Sequence, residues 1–198
     1  MILPIFIIIV LIFSAIAHEY MHGWMANELG DPTAKNAGRL TLNPLAHLDL
    51  WGSVLLPILL YYTTGFIFGY AKPVPINPNY LRHPKYDMIK VALAGPLTNL
   101  TLAICFGLVV RFAPIGNQFF GELLSYVVQI NLLLFVFNMV PIPPLDGSRV
   151  IFPFLPRAIQ KFYLSIERFG TYIALLFVLF AFPFIWTIVN FLLKLIIG

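Results

Sequence analysis

Residues 18 to 22 read HEYMH, and they close an almost unbroken run of Ile, Leu, Phe and Val that starts at the first residue. On a helix, His18 and His22 are four apart and project from one face, so both imidazoles can grip one metal ion. Glu19 lies one residue further round. It can reach a metal-activated water without binding the metal itself, accept that water's proton, and so drive attack on a carbonyl, most naturally a peptide bond. Ionisable side chains are costly at bilayer depth, by about 2.5 to 3.5 kcal/mol for a central Asp, Lys or Arg, and are functional by default. Three of them in five residues ask for a partner, and a metal cation answers all three. Two histidines do not complete a zinc site, which commonly has three protein ligands and one open position. Candidates for the third are Asp146, His47, Asp49, His83 and Asp87. Asp146 stands out because NMVPIPPLDGSRV (138–150) follows an apolar segment and is too proline-rich to stay helical, so irregular backbone presents this Asp beside the membrane. The plainer alternative for Asp146 is an N-cap.

The elements that must carry these residues belong to an integral membrane protein. The chain has 198 residues, 60% hydrophobic and only 10% charged, with a mean hydropathy of +0.90, far from the quarter of charged residues usual in soluble domains. Its length suits one domain, residues 1–198, closed by an interfacial helix and last span at 151–198. The net charge of +4 is read as membrane topology, because Lys and Arg accumulate in cytoplasmic loops; no nucleic-acid partner is implied. The single cysteine, Cys105, lies in an apolar run, which excludes an intramolecular disulfide and a cysteine metal cage. Ala15-Ile16-Ala17 has the small-x-small form of a signal-peptidase site, but no Lys or Arg precedes the apolar stretch, so a retained span ending near Gly30 is expected.

Segments 2–29, 87–112, 119–140 and 170–196 are each long enough to span a hydrocarbon core of about 30 Å. A fifth apolar stretch, 53–70, is broken by Pro57, Thr63, Thr64, Gly65 and Gly69. Alternation around Arg39–Leu42, followed by Asn43-Pro44, suggests a short strand and a loop, and the proline-dense 71–80 region suggests irregular or edge-strand backbone. Residues 157–169 place Ile159, Phe162, Tyr163, Ile166 and Phe169 on one helical face, the pattern of an interfacial amphipathic helix. The fold class expected is therefore an all-α polytopic membrane protein with four spans, a re-entrant apolar segment and short membrane-associated β-strands.

On His18-Glu19-x-x-His22, on the run ALAGPLTN (92–99) and on Asn138-x-x-Pro141-x-x-x-Leu145-Asp146-Gly147, the sequence resembles the site-2 protease family of intramembrane zinc metalloproteases. The resemblance implies one Zn2+ ion with Asp146 as third ligand, and cleavage of transmembrane protein or peptide substrates near the bilayer surface. It also suggests Asn99 and Asn138 as polar contacts to substrate or intermediate. His47 is a further candidate for substrate binding. The chain has no space for PDZ or CBS domains and looks like the minimal single-module form.

Geometry then decides the topology. Were 53–70 to span fully, His22 and Asp146 would lie on opposite sides and could not share a metal. If that stretch dips in and returns, the site closes and ten of the twelve Lys and Arg share one face, leaving Arg111 and Lys194 opposite. A multi-pass cell-membrane protein is expected, with both termini outside and the active site toward the cytoplasmic side. The competing class is a non-hydrolytic metal-binding transporter or scaffold. Transport predicts further ionisable residues along a path, and the spanning segments have almost none; a scaffold predicts function retained without Glu19.

Overall fold

The computed structural model describes residues 2–47, 49, 55, 58–59, 62–63, 72–114 and 116–198. The expected re-entrant stretch 53–70 falls mostly outside them. The first helix, α1, spans Ile2–Glu28. It stops where Gly30 turns to φ 109°, a left-handed conformation that glycine adopts without penalty. The Gly30 and Asp31 N–H groups return to the Asn27 and Ala26 carbonyls at 3.1 and 2.9 Å, satisfying two of the helix's orphan acceptors. Two short helices follow, α2 (Thr33–Asn36) and α3 (Pro44–His47), then an irregular stretch 72–77 and a 3-10 turn Pro78–Tyr80.

Three long helices complete the bundle: α4 (Pro84–Phe112), α5 (Gln118–Asn138) and, after the short α6 (Asp146–Ile151) and α7 (Arg157–Glu167), the last helix α8 (Gly170–Ile197). The fourth span is thus set apart from α7 by a break at Arg168 and Phe169. None of α7's residues is buried, as suits a helix lying at an interface.

Among the described residues, four helices are long and apolar enough to cross a membrane. Their outer faces carry large apolar side chains, such as Ile5, Ile9 and Phe13 on α1 and Phe180, Phe184 and Phe191 on α8. An apolar surface of that extent has no stable arrangement in water, and it matches hydrocarbon. The inner faces use small residues to bring backbones close. A Cβ added to Gly107 on α4 would stand 2.2 Å from Ile196 Cγ2 on α8. Ala103, Val128, Leu132, Val136, Ile185 and Val189 form the core between α4, α5 and α8.

Helices α1 and α4 run antiparallel in a register read directly from their contacts. Ser14 meets Asn99, His22 meets Val91, and the Leu29 carbonyl accepts from Arg82 N at 3.2 Å. The end of α1 therefore sits beside the start of α4.

Among the described residues there is no strand, which corrects the expectation of short β-strands. Around Arg39–Leu42 the chain bends instead. The Arg39 guanidinium donates to the Ala46 carbonyl and His47 Nε2 donates to the Thr41 carbonyl at 2.8 Å, so this segment folds onto α3 rather than pairing. Residues 72–77 have no regular secondary structure and form no ladder. Pro73 and Pro75 have no N–H to give, and the neighbouring donors go to single acceptors: Lys72 N to the His47 carbonyl, Val74 N to Glu19 Oε2 and Asn77 N to Asp31 Oδ2. Asp31, fully buried, also accepts from Thr33 N and Thr33 Oγ1, which ties the end of α1 to this irregular stretch.

Candidate active site

Four turns into α1, the helical period places His18 and His22 on its buried face toward α4. Asp146 reaches them from the first residue of α6. After Asn138 the chain cannot continue as helix through Pro141, Pro143 and Pro144, and it folds back so that α6 starts against the end of α5. Gly147 makes this possible: a Cβ there would stand 2.3 Å from the Met139 carbonyl oxygen.

The three side chains converge tightly. His18 Nε2 and His22 Nε2 are 3.0 Å apart, and Asp146 Oδ2 lies 3.0 Å from the first and 3.2 Å from the second. All three residues are more than nine-tenths buried.

The outer ring nitrogens decide what the inner ones can do. His18 Nδ1 is 2.7 Å from Asn99 Oδ1, and His22 Nδ1 is 2.7 Å from the Val91 carbonyl. Both partners are acceptors, so both Nδ1 atoms carry hydrogen, and in the neutral rings the Nε2 lone pairs turn toward Asp146. Three acceptors this close repel one another unless a cation lies among them. Two imidazoles and a carboxylate, each ring held by a further hydrogen bond, are the donor set of a catalytic zinc site. Among the described residues these are the one group of three or more His, Cys, Asp and Glu so arranged.

Gly95 completes the cradle. A Cβ on it would stand 2.4 Å from His22 Nε2 and 2.6 Å from His18 Nε2, pressed against both ring nitrogens. Gly95→Ala is expected to weaken zinc binding by about 5 to 150-fold in a competition titration, since overpacking costs about 1 to 3 kcal/mol and here falls on the two ring nitrogens themselves. Gly107→Ala, whose added methyl meets Ile196 and Val128 and no ligand atom, is expected to bind zinc as the wild type does.

Glu19 is partly exposed, and its Oε2 accepts from Val74 N at 2.9 Å, which brings the irregular stretch 72–77 alongside it. The remaining candidates lie elsewhere. Asn99 is fully buried and bonded to His18, so its side chain faces that ring. Asn138 turns its Nδ2 back to the Leu134 carbonyl on its own helix at 3.0 Å. His47 is buried against Thr41 and is not among the converging ligand atoms. Asp87 accepts from His83 N at 2.7 Å and from Lys90 Nζ at 3.0 Å at the start of α4, while the His83 side chain is largely exposed. Asp49 is also outside the group. Sequence reasoning did not single out Gly95 or Asn131. Their signals were a Gly-Pro pair and a lone polar side chain, each inside an otherwise helical apolar run.

Residues 113–181, which include Asp146, match the model of peptidase family M50. YwhC of Bacillus subtilis, provisionally named a zinc metalloprotease, is 36% identical over 197 residues, covering 93% of this chain and 86% of its own length. MJ0611 of Methanocaldococcus jannaschii, also provisionally named a zinc metalloprotease, is 34% identical over 160 residues, with 75% and 73% covered. Rip2 of Mycolicibacterium smegmatis, under the same provisional name, is 29% identical over 160 residues; these cover 80% of this chain and 61% of that protein. No solved structure is matched significantly. With a relative this similar aligned along nearly its whole length, the chain belongs to peptidase family M50, the site-2 protease family.

Proposed function

We propose that this protein is a zinc endopeptidase that hydrolyses peptide bonds in or near the transmembrane segments of membrane-protein substrates. The observation that carries the reading is the convergence of His18 Nε2, His22 Nε2 and Asp146 Oδ2 within an apolar helix bundle, beside a carboxylate that is not part of the group. His18, His22 and Asp146 hold one zinc ion, and zinc, when bound, polarises water and the scissile carbonyl. Glu19 takes a proton from the attacking water as the carbon–oxygen bond forms. It returns that proton to the departing amine as the carbon–nitrogen bond breaks.

A helical substrate hides its peptide bonds in its own hydrogen bonding, so it must unwind before reaching the site. A cavity of about 710 Å³ offers space nearby: its walls include Ile76, two residues from Val74, and Ser148, two residues from Asp146. An unwound strand laid along 72–77 would have to supply the N–H groups there, because Pro73 and Pro75 offer carbonyls only.

The site is assigned to the cytoplasmic side of a cell membrane, with the chain leaving α1 and entering α4 on that same side. Two features support this: the meeting of Leu29 with Arg82, and the ten Lys and Arg gathered on that face. The test is made in reconstituted vesicles holding a model transmembrane substrate. Cleavage is expected, with loss on adding a zinc chelator and recovery on returning zinc, and single cysteines at Thr41 and Val74 should label from one side. Cleavage indifferent to the chelator would reject the function, and labelling from opposite sides would reject the topology.

A further inference from the structure

Two buried amides stand behind His18, where α1, α4 and α5 meet. Asn99 on α4 and Asn131 on α5 are both about 99% buried or more. Asn131 Nδ2 donates to the Val127 carbonyl one turn back at 2.9 Å, which leaves its Oδ1 facing α4. That oxygen accepts from Asn99 Nδ2 at 3.0 Å, and the same Nδ2 makes a longer bond of 3.3 Å to the Ser14 carbonyl on α1. With its Nδ2 so engaged, Asn99 can present only Oδ1 to His18 Nδ1, at 2.7 Å. Every donor in this series meets an acceptor, and the direction of each bond follows from the one before.

The direction matters because the Asn99 amide has two orientations of nearly equal shape. Were it reversed, its Nδ2 would donate to His18 Nδ1. The hydrogen of the neutral ring would then sit on Nε2, the atom that faces Asp146 and His22, and that nitrogen would have no lone pair to give. The Ser14 carbonyl alone, at its greater distance, resists reversal weakly.

We propose that Asn131, which bonds to none of the three ligand side chains, is a positioning residue for the metal site. Through Asn99 it fixes the tautomer and ring orientation of His18, so that Nε2 is always the free ligand atom. The inference rests on the proposed metal site and adds to it a residue on a third helix, which couples the seating of α5 to metal affinity.

The test uses the full chain in detergent, with zinc affinity measured by chelator competition and the His18 tautomer read from side-chain 15N shifts of the zinc-free protein. Asn131→Leu keeps the volume and removes the acceptor; it is expected to weaken zinc binding by about 10 to 100-fold, the range usual for an outer-shell partner, and to move hydrogen onto His18 Nε2. Asn131→Asp keeps an oxygen toward Asn99 Nδ2 and, when protonated, an O–H toward Val127, so it is expected to recover most of the affinity. A leucine variant with wild-type affinity and an unchanged tautomer overturns the proposal, as does an aspartate variant no better than leucine. If the leucine variant does not fold, Asn131→Ala carries the same expectation and the same refutation. A wild-type protein that binds no zinc would instead overturn the metal site itself, and this inference with it.

Discussion

Glu19→Gln is expected to lower cleavage of a transmembrane substrate by about 10² to 10⁴-fold, the usual contribution of a general base, while zinc content stays at the wild-type level. The substitution is nearly isosteric. Glutamine can still accept from Val74 N through its carbonyl oxygen, so the irregular stretch 72–77 keeps its place beside α1. The amide cannot take a proton from water, and that loss falls on the chemical step alone. Zinc should remain because Glu19 is not among the three converging ligand atoms. Parallel measurement of cleavage and bound zinc in both proteins separates the roles. Undiminished cleavage would remove Glu19 from the mechanism, and loss of zinc along with activity would make it a ligand instead.

Much of this arrangement is legible in the sequence wherever the governing rule is local. The i, i+4 spacing of His18 and His22 sets them on one helix face whatever the rest of the chain does. Gly30 ends α1 where a left-handed residue is needed. The prolines after Asn138 force the chain out of helix just before Asp146, and the breaks between apolar runs locate all four long helices to within a few residues.

What eludes a reading along the chain depends on which residues meet across helices. Asn99 is one polar residue in an apolar segment, and nothing nearby says whether it faces substrate, lipid or a ligand. Its role is set by the antiparallel register of α1 and α4, which puts it against His18, 81 residues away. Gly95 is similar, since only a neighbouring helix turns a missing Cβ into space for ligand atoms. The alternation at Arg39–Leu42 misleads for a different reason. A short polar–apolar pattern forms a strand only if a partner edge exists, and here the Arg39 and His47 side chains bind nearby carbonyls instead.

The central claim is that a residue 124 positions beyond His22 completes its metal site. Asp146→Ala tests this most directly. It leaves both imidazoles, their outer hydrogen bonds to Asn99 and Val91, and Gly95 as they are, and it removes the one anionic ligand. The loss of zinc affinity should exceed the roughly 100-fold upper range for an outer-shell change, and cleavage should disappear with it. The measurement is zinc per chain after equilibration with a competing chelator, made beside helical content to show that the bundle is intact. About one zinc in the wild type and almost none in the variant is the expected result. A folded Asp146→Ala variant that holds zinc as tightly as the wild type would contradict it.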